Sequence, residues 1–84
     1  MRYQVDWTPS AIGQLATLWP AAMNRSAVTA SEARIDRDLG RDPRGIGTLV
    51  IEGLYRYRLP PLQVMYEVND TTRVVTVTAV FGVP

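Results

Sequence analysis

A chain of 84 residues with 46% hydrophobic content suits one small globular domain and is too apolar for disorder. It contains no cysteine and no histidine, which excludes a disulfide framework, a thiolate metal site and the commonest general base. The formal net charge is +1 and all nine basic residues are arginine, so a nucleic-acid surface here must be a local patch. No stretch approaches the roughly 18 apolar residues of a membrane span. The opening residues lack the apolar core of a signal peptide, so a cytoplasmic location is expected. A domain this small has marginal stability and often leans on a partner.

Tyr3, Val5 and Trp7 alternate with Arg2, Gln4 and Asp6, which predicts a half-buried first strand. Thr8-Pro9 supplies an N-cap and a proline at the first helical position. Ile12, Leu15, Leu18, Trp19, Ala22 and Met23 then recur at spacings of three and four, a helical stripe that Pro20 should end or kink near Trp19. A second helix is predicted from about Ser26 to Leu39, with Val28, Ile35 and Leu39 inward and Arg34, Arg37 and Arg41 on another side. Gly40 and Pro43 read as its stop. The two helices should form an antiparallel hairpin over a sheet. The two tryptophans read as core.

From Thr48 the period changes to two. Leu49, Ile51, Tyr55 and Tyr57 share a parity across a strand broken or bulged at Gly53. Pro60-Pro61 makes a short connection to an alternating strand of Leu62, Val64, Tyr66 and Val68. Asn69 to Thr72 reads as a turn. The β-branched run from Val74 to Thr78 is apolar on both faces, as a central strand would be. The predicted class is α+β: an N-terminal strand, a helical hairpin, and a three-stranded antiparallel meander in one domain over residues 1–84.

The chemistry concentrates in Leu54-Tyr55-Arg56-Tyr57-Arg58-Leu59. Tyr55 and Tyr57 should pack, leaving Arg56 and Arg58 on the other face about 7 Å apart. Such a pair suits a phosphate backbone or an acidic protein.

Element order and local motifs together resemble the RelE/ParE superfamily of bacterial toxins. The shared features are Val5-Asp6-Trp7-Thr8-Pro9-Ser10-Ala11 with Leu15 and Leu18; Leu39-Gly40-Arg41-Asp42-Pro43-Arg44-Gly45; the basic strand; and Val64-Met65-Tyr66-Glu67-Val68 before the last strand. The resemblance implies the toxin of a type II toxin–antitoxin pair. One branch cleaves messenger RNA in the ribosomal A site, and another poisons DNA gyrase. The implied partners are a cognate antitoxin and either the ribosome with its mRNA or gyrase. Arg56 and Arg58 match the paired basic residues of the RNA-cleaving branch. Gln63 stands where the family usually carries arginine. Phe81-Gly82-Val83-Pro84 stands where it usually carries His or Lys, then Arg and later a tyrosine.

RNA cleavage through the 2′-hydroxyl requires a proton acceptor, a proton donor and cations around the phosphorane. The candidate catalytic residues are Arg56, Arg58 and Glu52. By strict alternation Glu52 shares their face, although a bulge at Gly53 would undo this. Candidate substrate-binding residues are Arg44, Arg56, Arg58, Arg73 and Gln63. Arg34, Arg37 and Arg41 are a solvated helix face or an anchor for an acidic partner. Asp36, Asp38 and Asp42 lack calcium-loop spacing, and no metal or cofactor is expected. Three functions follow: an mRNA endoribonuclease that inhibits translation and arrests growth, a non-nuclease toxin of the gyrase-directed kind, or a degenerate homologue that only binds an antitoxin.

Overall fold

The computed structural model describes residues 2–22 and 24–84; of Ala21 it describes the backbone. The elements are β1 (Gln4–Trp7), α1 (Pro9–Ala21), α2 (Arg25–Arg41), α3 (Pro43–Ile46), β2 (Thr48–Ile51), β3 (Leu54–Leu59), β4 (Leu62–Asn69) and β5 (Val74–Gly82). They build one mixed sheet in the order β1-β5-β4-β3-β2. Strands β2 to β5 are antiparallel neighbours, and β1 runs parallel to β5. A parallel pair needs a long connection between its strands, and here the helices and three strands supply it. The fold is α+β, as the sequence predicts.

Each helix begins on a side-chain cap, because the first N–H groups of a helix have no partner within it. Thr8 Oγ1 accepts from the Ala11 N–H at 3.1 Å and Asn24 Oδ1 from the Ala27 N–H at 3.0 Å. The α2 cap is thus Asn24, and the helix starts one residue before the expected Ser26. Asp42 ends α2 and caps α3, where Oδ1 accepts from the Gly45 N–H at 3.1 Å. Gly40 is a helical residue of α2 instead of its terminator. Its carbonyl accepts from the Tyr3 N–H at 2.8 Å, and a Cβ there would lie 3.4 Å from the Tyr3 carbonyl oxygen, so β1 uses the glycine for close approach.

The inward parity of β4 and β5 meets α1 and α2. Leu62, Val64, Tyr66, Val75, Val77 and Val80 are buried with Ala11, Val28, Ile35 and Leu39. Tyr66 is fully buried, stacks on Tyr55 with ring centroids 5.6 Å apart, and donates its hydroxyl to the Pro43 carbonyl. Burial pushes the Tyr66 phenol well above its usual range, so it remains a neutral donor. The residue next to it must be glycine for lack of space: a Cβ on Gly47 would collide with that hydroxyl and with the Arg56 carbonyl oxygen. The Asn69 turn is as predicted, with Oδ1 accepting from the Thr71 and Thr72 N–H groups.

Further features depart from the sequence reading. The break at Gly53 is a full reversal, with φ +82, so the expected first meander strand is the β2–β3 hairpin and four strands follow the helices instead of three. Leu49 keeps Tyr55's parity but sits on an edge strand beyond the helices, 56% exposed, while the register shift pairs Ile51 with Leu54. Trp19 is not core. It is 43% exposed, its Nε1 donates to Thr29 Oγ1 at 3.2 Å, and Arg25 lies over its ring at 5.0 Å. Helix α1 ends at Ala21, one residue after Pro20, in keeping with the end expected near Trp19. Ile12 is exposed although it belongs to the stripe, and the stripe's Met23 lies outside the described residues.

Candidate nucleic-acid interface

Strand β3 fastens one face to the helices and leaves the other open. On the packed side the Tyr57 hydroxyl donates to Asp38 Oδ2 at 2.8 Å. Burial, reinforced by that carboxylate, pushes the Tyr57 phenol up. Arg34 and Arg37 each approach Asp38 at 3.7 Å, so two of the four α2 arginines are engaged with a carboxylate of their own helix. The Tyr55 hydroxyl, also on the packed side, accepts from Arg44 Nη1 at 2.7 Å. With Tyr55 and Tyr57 held, alternation turns Leu54, Arg56 and Arg58 to the opposite face.

Arg56 and Arg58 border a concavity of about 570 Å³ together with Ile46, Thr48, Tyr57, Gln63 and Val83. Thr48 pairs with Arg56, and Gln63 pairs with Arg58. Cross-strand partners share a face, so the hairpin and β4 set a hydroxyl and an amide beside the two guanidinium groups. Arg58 also donates to the Pro84 carbonyl oxygen at 3.3 Å. Such a group of fixed donors suits a phosphate, which guanidinium groups bind in a planar fork. A separate depression of about 620 Å³, lined by residues such as Leu18, Val28, Pro61 and Leu62, contains no titratable side chain.

The other candidates lie elsewhere. Glu52 is in the β2–β3 turn and borders a different depression with Leu54, Glu67 and Thr76. The reversal at Gly53 separates it from the arginine concavity. Arg44 pairs with Asp70 at 2.5 Å, and Asp70 also accepts from the Tyr3 hydroxyl at 2.6 Å. Arg73, with φ 60, stands 5.1 Å from the Tyr3 ring centroid. Arg44 and Arg73 therefore gather around Tyr3 and Asp70, tying α3 and the β4–β5 turn to the residue before β1. Among the described residues no group of three or more His, Cys, Asp or Glu side chains could hold a metal ion. Nor is any helix long and apolar enough to cross a membrane.

The Arg44 hydrogen bond, followed by that of Tyr3, holds the Asp70 carboxyl below its usual range. A depressed folded-state pKa contributes stability above the unfolded value of 3.8 that is lost as pH falls through the folded value. Urea unfolding of the protein should therefore show stability falling below about pH 4. Asp70→Asn should flatten that segment of the profile; an identical profile would separate this pair from acid lability.

Thr48, Tyr57 and Val83 were not singled out from sequence for this concavity. The available signal was the Glu52-Gly53 reversal, which makes Thr48 a cross-strand neighbour of Arg56.

This element order and sheet order are the toxin fold of the RelE and ParE types. The toxin–antitoxin complex RelBE2 from Mycobacterium tuberculosis matches with a TM-score of 0.79 at 24% identity, covering 98% of this chain and 99% of that one. The chromosomal ParDE system of P. aeruginosa matches with a TM-score of 0.73 at 13% identity, covering 99% and 98%. The archaeal RelE-RelB complex from Pyrococcus horikoshii matches with a TM-score of 0.71 at 19% identity, covering 98% and 96%. No protein-family model and no curated protein matches the sequence.

Proposed function

We propose that this chain is the toxin of a type II toxin–antitoxin pair and that it inhibits translation in the cytoplasm by cleaving mRNA on the ribosome. The observation that carries this reading is the grouping of Arg56, Arg58, Thr48 and Gln63 on an open sheet face. In this role Arg56 and Arg58 bind the scissile phosphate and stabilise the charge that develops on it. Gln63 supplies a neutral donor beside them. Arg44 and Arg73 act from the neighbouring cluster by bracing the sheet, and Glu52 stands in the hairpin turn outside the arginine concavity. The partner is a RelB-type antitoxin, a reading supported by the M. tuberculosis and P. horikoshii neighbours, which are toxin–antitoxin complexes.

One observation favours a second reading, a non-nuclease toxin directed at gyrase. No carboxylate borders the arginine concavity among the described residues, so the cations have no evident proton acceptor beside them. The likeness in fold to the P. aeruginosa ParDE system accords with this alternative. Expression followed by mapping of transcript 5′ ends separates the two. The RNA-directed reading expects new in-frame 5′ ends within coding regions and normal DNA supercoiling. Intact transcripts with inhibited supercoiling would replace it with the gyrase reading, and unimpaired growth would leave only antitoxin binding.

A further inference from the structure

Two depressions lie side by side on the open face of the sheet, and their charges are opposite. One is the concavity of Arg56 and Arg58. The other, of about 510 Å³, is bordered by Glu52 and Glu67 together with Leu54 and Thr76. The ladder fixes their spacing. Arg56 pairs with Met65 and Met65 with Ala79, while the next row pairs Leu54 with Glu67 and Glu67 with Thr76. Partners in an antiparallel ladder project from the same face, and successive rows on one face are two residues apart, about 7 Å. Arg56, Arg58, Glu52 and Glu67 are all exposed. Among the described residues none of the four makes an ion pair within the chain. Between them lie Leu54, Met65 and Ala79, half-buried and apolar on the side turned away from the helices. A solvated sheet face ordinarily carries polar residues at such positions, so the apolar centre with unpaired charges around it has the make-up of an interface.

We propose that this face is the interface of a homodimer in which the arginine concavity of each copy receives the carboxylates of the other. A two-fold interface uses the same patch on both copies, so it needs a surface complementary to itself. A cationic and an anionic depression one row apart meet that need. With the two-fold axis across the strands, between the Arg56 row and the Glu67 row, each row faces the other row of the second copy. Like strands then lie over like strands, and Arg56 stands one strand spacing, about 5 Å, to the side of Glu67 of the second copy. Glu52 lies in the turn beyond the Leu54 row, so the same axis sets it beside Arg58 of the second copy. Two pairs per copy surround an apolar centre of Leu54, Met65 and Ala79. The five strands, about 5 Å apart and about 20 Å long, project roughly 500 Å². A standard stable interface covers about 800 Å² per partner, so this dimer is weak, micromolar and salt-sensitive. Dimerisation covers Arg56 and Arg58. Under the RNA-directed reading, on which this one consequence rests, the dimer is the masked form and the monomer the active one.

Sedimentation equilibrium of the full chain tests the interface without a toxicity readout. At low salt the wild-type protein should pass from monomer to dimer across the micromolar range, and high salt should weaken the association. Glu52→Arg with Glu67→Arg, and separately Arg56→Glu with Arg58→Glu, should each stay monomeric, because like charges then face one another. All four positions are exposed, so both variants should keep the wild-type circular dichroism. An equimolar mixture of the two variants should form a heterodimer at least as tight as the wild-type dimer, since every arginine again meets a carboxylate. A wild-type chain that stays monomeric to millimolar concentration, a dimer indifferent to both reversals, or a mixture that fails to associate would each overturn the interface. None of these outcomes bears on transcript 5′-end mapping, which decides the RNA-directed reading by itself. Dimerisation as described beside intact transcripts would uphold the interface and remove only the masking of an RNA site.

Discussion

Replacing Arg56 and Arg58 together by alanine should abolish growth inhibition while the protein stays folded. Both side chains stand on the open face of β3, and the residues that hold that strand in place are Tyr55 and Tyr57 on its other side. Exposed substitutions away from packed contacts change stability by about 0.5 kcal/mol or less, so circular dichroism and urea unfolding should match the wild type. The functional loss is of another size. Removing one preorganised donor from a developing oxyanion costs roughly 10²- to 10³-fold in rate, and here two are removed from one concavity. Arg56→Lys with Arg58→Lys keeps the charge but not the planar fork and should fall between wild type and the alanine variant. Undiminished growth inhibition by a folded double-alanine variant would dissociate the arginine face from toxicity.

The legibility of this site in the sequence follows from local chemistry. Alternation in Tyr55-Arg56-Tyr57-Arg58 predicts the two faces of β3 without further information, because side-chain direction in a strand is set by the backbone. The same holds for Leu62, Val64 and Tyr66, whose inward parity is as predicted. Thr8 and Pro9 mark the start of α1 through hydrogen bonds that span a few residues. Glu52 is different. Its parity with Arg56 is valid only along an unbroken strand, and one glycine with positive φ turns the strand into a hairpin. The placement of Gln63 beside Arg58 depends on the β3–β4 register. Register depends on pairing across the sheet, so it cannot be counted along the chain. Trp19 is a related case: its helical spacing is correct, but Leu18 and Ala22 take the inward side at the end of α1, and Trp19 turns to Thr29 and Arg25 of α2.

Tyr66→Ala should leave the chain barely stable at room temperature, with a substantial unfolded fraction. The side chain has 0% exposure, stacks on Tyr55, and its hydroxyl bonds the Pro43 carbonyl at the start of α3. Truncating a buried aromatic to alanine costs about 3–5 kcal/mol. A domain of this size has a total stability near the lower end of about 5–15 kcal/mol, so the substitution removes most of it. Tyr66→Phe keeps the ring and forfeits only the hydroxyl bond, for about 1–3 kcal/mol, and should remain folded with a lower urea midpoint. Growth inhibition should follow the folded fraction in these variants, in contrast to the arginine pair, because Gly47 sits between the Tyr66 hydroxyl and the Arg56 carbonyl. Loss of Tyr66 therefore loosens the strand that carries the arginines as well as the core. A Tyr66→Ala protein that melts cooperatively near the wild-type midpoint would show that this tyrosine does not bind sheet, α3 and basic strand into one cooperative unit.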